Sequence, residues 1–273
     1  MRLYVNGCSH TYGTELSLDG DFQSAWPYLL AKKLDANLTN SSKIGVSNFT
    51  IYKNTIEDIL SLNQKPDLAI IQWTHFERFD TPLGLREQKN IVLNKGEDAL
   101  TRNYRTHYPY EGKMKEPWNK DFYVNFYDLK NSIHIQYMEE VSLFYMYMLQ
   151  SFLSAKRINF IFLNFNKNRK VARAFTSSTG EGFKRRLNKE NWLHNIDTSM
   201  IDIFTSHNYQ LCRKPKKEPD GRIFPDDHFM KDSHEFLCEA ILDFYHLKEK
   251  LLMNNRNIRN RQRDFLHFYG DDM

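Results

Sequence analysis

Short apolar runs alternate along the chain with longer stretches whose apolar residues recur every three or four positions. Leu3, Tyr4 and Val5 open the sequence as a short buried strand. Trp26, Leu29, Leu30 and Leu34 follow at helical spacing, with Pro27 near the first turn, where proline is tolerated. Residues 37 to 42 are mostly polar and signal a second strand only faintly. Phe49 to Leu60 repeats the helical pattern. Asp67 to Trp73 is then a continuous apolar run after Pro66, the signature of a central strand buried on both faces. From Ile133 to Leu153 the positions Tyr137, Met138, Val141, Phe144, Tyr145, Met148, Leu149 and Phe152 trace one long amphipathic helix. Ile158 to Phe165 supplies a fourth strand.

This alternation predicts a parallel, helix-covered sheet: an α/β fold, here a three-layer α/β/α sandwich. Residues 80 to about 130 interrupt it without sustained period and are expected to be a long insertion of the kind that forms lids or binding elements. Its tyrosines, with Arg102, Lys113 and Lys115 among them, are expected chiefly to pack on one another. The chain is expected to be one domain over residues 1–250, carrying this insertion, followed by a basic and aromatic extension over 251–273. In that extension Arg256, Arg259, Arg261 and Arg263 form a local basic segment able to meet nucleic acid or an acidic partner, or simply to line a surface helix.

Composition narrows the class. The chain has 273 residues, 41% hydrophobic and 26% charged, which suits a globular domain. A net charge of +4 is too mild to argue by itself for a nucleic-acid partner. The 3 cysteines, Cys8, Cys212 and Cys238, are an odd number at no metal-like spacing, so neither a disulfide framework nor a metal site is expected. The longest apolar run, Leu143 to Leu149, falls far short of the roughly 20 residues a membrane span needs. With strand one starting at residue 2, no signal peptide is expected, and a reducing, cytoplasmic setting is the default.

The chemistry concentrates at the two ends. Gly7-Cys8-Ser9 follows strand one directly, so Ser9 is expected at the strand's C-terminal end, where open α/β sheets bind ligands. A serine there becomes a nucleophile only when a histidine takes its proton and an acid orients that histidine. Asp226-Asp227-His228 offers such a pair, just before the helical pattern that begins at Glu235. The ordinary reading of His228 is a loop histidine beside a helix start, with the two aspartates favouring the helix dipole.

Together these ends resemble the SGNH (GDSL-like) hydrolase family, whose first block is a strand followed by Gly-Asp-Ser and whose last is an Asp-x-x-His segment before the final helix. His234 stands where the family often has a second histidine. Gly45, in a loop entering a helix, resembles the family's second block. Where the third block has Gly-x-Asn-Asp, this chain has Trp73-Thr74-His75-Phe76.

The resemblance implies a flavodoxin-like strand order and hydrolysis of an ester, O-acetylated carbohydrate included, without cofactor or metal. It implies Ser9 as nucleophile, His228 as general base and Asp226 as orienting acid, with Asp227 in reserve because Pro225 occupies the family's usual acid position. Gly45, Asn48, Thr74 and His75 become the candidate oxyanion or substrate-binding residues, and Arg78 is a further donor within reach of that turn. An acyltransferase would use the same residues. The competing class is a non-catalytic binding protein on the same fold, contacting nucleic acid or an assembly partner. Neither reading involves a membrane, and the oligomeric state is open.

Overall fold

The computed structural model describes residues 1–14, 16, 20–76, 78–82, 104–107, 133–165, 178–194, 196–207, 216–217, 223–224 and 230–269. In chain order the first elements are β1 (Arg2–Asn6), the one-turn helix α1 (Ser9–Tyr12), α2 (Trp26–Lys33), β2 (Asn37–Asn40), α3 (Asn48–Ser61) and β3 (Leu68–Trp73). An antiparallel pair follows, β4 (Phe79–Pro82) and β5 (Tyr104–His107), and then α4 (Ile133–Ala155) and β6 (Asn159–Asn164). The remainder comprises α5 (Ser178–Arg186), α6 (Met200–Ser206), β7 (Lys216–Lys217), β8 (Ile223–Phe224) and α7 (Lys231–Tyr269).

The central sheet has four strands in the order β2-β1-β3-β6. All of its pairings are parallel, with Leu3 opposite Leu38 on one side and Leu68 on the other, and Ile70 opposite Ile161. The period of two along each strand explains why the sheet needs cover on both faces. Leu3, Val5, Leu68, Ile70, Ile161 and Leu163 point into one core, against Trp26 and Leu30 of α2, Phe204 of α6 and Leu237 and Ile241 of α7. Their neighbours Tyr4, Ala69, Ile71, Trp73, Phe160 and Phe162 point into the other, against Ile51 and Ile59 of α3 and Leu143, Met146 and Leu149 of α4. Each fully buried Leu, Ile, Val, Phe or Met side chain contributes roughly 1.5–3 kcal/mol on leaving water. The three-layer expectation and the 2-1-3 strand order both hold.

The helices end where their sequences say they must. Ser47 caps α3 by accepting from the Thr50 N–H at 3.2 Å, and Pro27 sits in the first turn of α2. Among the described residues no helix is long and apolar enough to cross a membrane. The insertion expected over 80–130 lies outside the described residues apart from the β4–β5 ladder.

Candidate functional site

The chain runs from β1 to β2 on one side of the sheet and returns to β3 on the other, so the order reverses between β1 and β3. In doubly wound folds the crevice beyond the strand ends at such a reversal is where ligands sit. Ser9 lies just past the end of β1 at this point. It starts α1, a single turn in which the Cys8 carbonyl accepts from the Thr11 and Tyr12 N–H groups, and the Ser9 carbonyl accepts from Gly13. Gly13, at φ +74°, closes that turn in the left-handed conformation glycine tolerates best. Ser9 itself is 4% exposed.

A buried polar network fixes the Ser9 turn from beneath. The Asn6 side chain donates to the Ile51 carbonyl at 3.2 Å and to the Thr55 hydroxyl at 2.9 Å, and its own oxygen accepts from the Gly7 N–H at 2.8 Å. On the β3 side the Gln72 amide donates to Cys8 Sγ at 3.1 Å and its oxygen accepts from the Thr11 hydroxyl. Gly7 passes so close to β3 that a Cβ there would stand 2.9 Å from Gln72 Cβ, which explains the glycine. Gln72 interrupts an otherwise apolar strand. That interruption is the one sequence signal pointing to this network.

The second loop lies alongside the first. Ser41 N–H donates to the Val5 carbonyl at 2.8 Å and Lys43 N–H to the Gly7 carbonyl at 3.1 Å. The chain then turns at Gly45, whose φ of +71° favours glycine, and enters α3. Asn48 is 1% exposed and reaches across to the end of β3. Its Oδ1 accepts from the Thr74 N–H at 2.8 Å, while its Nδ2 donates to the Thr74 carbonyl and to the Ser142 hydroxyl of α4, both at 3.1 Å. The Asn48 amide is thereby spent on holding the protein together, a use the sequence does not reveal.

Thr74 is 1% exposed, and its hydroxyl has no hydrogen-bond partner among the described residues. His75 is half-buried and its carbonyl accepts from the Arg78 N–H at 3.2 Å, closing a turn. Arg78 Nη1 donates to the Val46 carbonyl at 3.3 Å, which ties the β3 turn to the Gly45 loop. His10, next to Ser9, stacks on Phe165 at the end of β6 with ring centroids 5.3 Å apart.

One titratable group stands on the α4 side of this edge. Glu139 is a helical turn before Ser142, and burial pushes its carboxyl up to about 7, against the downward pull of Lys184. Lys184 itself pairs with Asp197 at 2.6 Å.

Ser9 and Asn48, each the first residue of a helix, and Gly45, Thr74 and His75 on loops all fall at the carboxyl edge of the sheet, with Asn48 bonded to Thr74. Asp226, Asp227 and His228 lie outside the described residues. Their downstream flank is described. Lys231, the first residue of α7, faces Asp21 at 3.6 Å, and His234 accepts from the backbone N–H of Trp26 at 3.2 Å. Asn6, Gln72 and Ser142 are the supporting residues that the sequence reading did not single out. Among the described residues no group of three or more His, Cys, Asp or Glu could hold a metal ion.

No family model matches the chain, and no curated protein matches it. Solved structures do resemble it at low identity. A psychrotrophic esterase, EstA from Pseudoalteromonas sp., aligns at 12% identity and a TM-score of 0.45, covering 93% of this chain and 98% of that one. A member of the lipolytic G-D-S-L family from Veillonella parvula aligns at 10% identity and a TM-score of 0.44, covering 89% and 97%. A variant of an acetyl-xylooligosaccharide esterase from Geobacillus Stearmophilus aligns at 13% identity and a TM-score of 0.43, covering 89% and 93%.

Proposed function

We propose that this protein is a serine esterase of the SGNH type, hydrolysing an ester, with O-acetylated carbohydrates among its candidate substrates. The observation that carries the reading is the position of Ser9: the first residue of a tightly braced turn, just beyond β1, where the sheet order reverses. Asn6 and Gln72 brace the two residues, Gly7 and Cys8, that lead into that turn.

In this reading Ser9 Oγ attacks the ester carbonyl carbon while His228 takes its proton, and Asp226 orients the imidazole. The negative charge on the carbonyl oxygen is met by the backbone N–H groups of Ser9 and Gly45, with a third donor from Thr74 or His75. Collapse of the tetrahedral adduct breaks the bond to the alcohol oxygen, which leaves with the proton held by His228. A water molecule, deprotonated by the same histidine, then attacks the acyl-Ser9 carbonyl; the bond to Ser9 Oγ breaks, the histidine returns the proton to that oxygen, and the acid is released.

Chain geometry is favourable. His228 precedes Lys231 by three residues, a span of at most about 11 Å. Lys231 is paired with Asp21, on the segment that links α1 to α2. The test is turnover of p-nitrophenyl acetate by the wild type and by Ser9→Ala. The reading requires activity in the first and its loss in the second.

A further inference from the structure

We propose that Thr74 is the third oxyanion donor and that Asn48 and Ser142 are positioning residues that hold it in place. The inference rests on the esterase reading above and deepens it. β1 and β3 stay in register only as far as the Asn6–Ile71 pair. On its other side β3 continues to pair as far as Trp73 with Asn164. Thr74, the next residue, has lost its neighbour on the β1 side. Its backbone N–H and carbonyl are both taken instead by the amide of Asn48, which does for one residue what an adjacent strand would do.

The amide suits this task and a carboxylate does not. One oxygen accepts from the Thr74 N–H, and the two protons of Nδ2 go to the Thr74 carbonyl and to Ser142 Oγ. The Thr74 N–H and carbonyl fix which way round the amide sits, and Ser142 holds its second N–H proton. All three residues are buried, at 1%, 1% and 3% exposure for Asn48, Thr74 and Ser142. With its backbone held at both polar groups, Thr74 keeps a buried hydroxyl that no described residue engages. Native proteins rarely leave such a group unmet unless a function uses it. An ester oxygen gaining charge is a group that would use it, and a donor so held pays no reorganisation as the charge develops.

The experiment measures kcat and KM on p-nitrophenyl acetate, with fluorophosphonate labelling of Ser9, for wild type, Thr74→Val, Thr74→Ser, Asn48→Asp and Ser142→Ala. Each variant's fold is checked by near-UV circular dichroism. Thr74→Val should lower kcat by about a hundredfold with KM nearly unchanged, and Thr74→Ser should restore most of it. Ser142→Ala should lower kcat about tenfold by removing one of the amide's three hydrogen bonds, and Asn48→Asp by more. Should Asn48→Asp fail to fold, Thr74→Val and Ser142→Ala decide the matter. An active wild type whose Thr74→Val variant keeps wild-type kcat overturns the inference and leaves the esterase reading standing. A wild type that neither turns over esters nor labels overturns both.

Discussion

The backbone N–H of Trp26 donates to Nδ1 of His234 at 3.2 Å, a hydrogen bond between residues 208 positions apart. It joins the start of α2, just beyond the Ser9 turn, to the start of α7, just beyond the Asp226–His228 segment. His234 is 1% exposed, so the bond is shielded from water.

Replacing His234 with alanine should therefore cost more than a surface substitution would. Loss of a buried ring and of the acceptor for the Trp26 N–H is expected to lower stability by about 2–3 kcal/mol in urea denaturation. The variant should also lose ester turnover well beyond its loss of folded protein, because the anchor of the histidine-bearing segment is gone. Turnover that merely tracks the folded fraction would assign His234 to stability alone.

Gly7→Ala tests the bracing of the Ser9 turn. The added Cβ would meet Thr11 Oγ1 and stand 2.9 Å from Gln72 Cβ, so either the turn or β3 has to shift. A destabilisation of about 1–3 kcal/mol is expected, as for other overpacked interiors, with activity falling further than stability. Wild-type stability in this variant would contradict the packing described.

Glu139 gives the protein a pH signature. Its carboxyl titrates at about 7 in the fold against 4.5 for an ordinary glutamate, so the native state holds the proton longer than the unfolded chain. Stability from this group is complete below about pH 4.5 and is lost as the pH rises towards 7. Glu139→Gln should remove that slope, gaining on the wild type at pH 8 relative to pH 4. Parallel stability curves for the two proteins would refute it.

Lys248 works in the opposite sense. Its amine donates to the Phe160 carbonyl at 2.8 Å and to Asn191 Oδ1, and burial pushes its pKa down to about 8. The native state sheds this proton before the unfolded chain does. Its contribution is full above the ordinary lysine value of 10.5 and is lost as the pH falls through about 8. Lys248→Met should flatten that alkaline rise, read from thermal midpoints between pH 7 and 10.

The sheet and its two cores were legible because the physics is local. Leu68 to Trp73 is apolar apart from Gln72, and its alternate residues feed opposite faces, as a central parallel strand requires. β2, with Asn37, Thr39 and Asn40, was faint because an edge strand needs little apolar character. The turn α1 went unread as a helix, since Ser9-His10-Thr11-Tyr12 has no apolar period and is held by the Cys8 and Ser9 carbonyls and Gly13.

The sequence placed Ser9, Gly45 and the Thr74–His75 turn beyond strand ends, where the structure has them, because glycines and strand ends mark such places. The structure gives the α3 cap to Ser47 and a bond across to the end of β3 to Asn48. Ser142 had no signal, because a serine inside an amphipathic helix acquires meaning only from the residue it meets in the fold. Lys248 likewise reads as a surface charge until α7 is laid against Phe160.

The most direct measurement is the rate at which a fluorophosphonate probe modifies the protein, with the modified residue identified by peptide mass spectrometry, for wild type, Ser9→Ala and His228→Ala. The expected result is stoichiometric labelling at Ser9 in the wild type, none in Ser9→Ala, and labelling slowed by at least about a hundredfold in His228→Ala. Labelling at another residue, or equal rates in wild type and His228→Ala, would contradict a site built from the two ends of the chain.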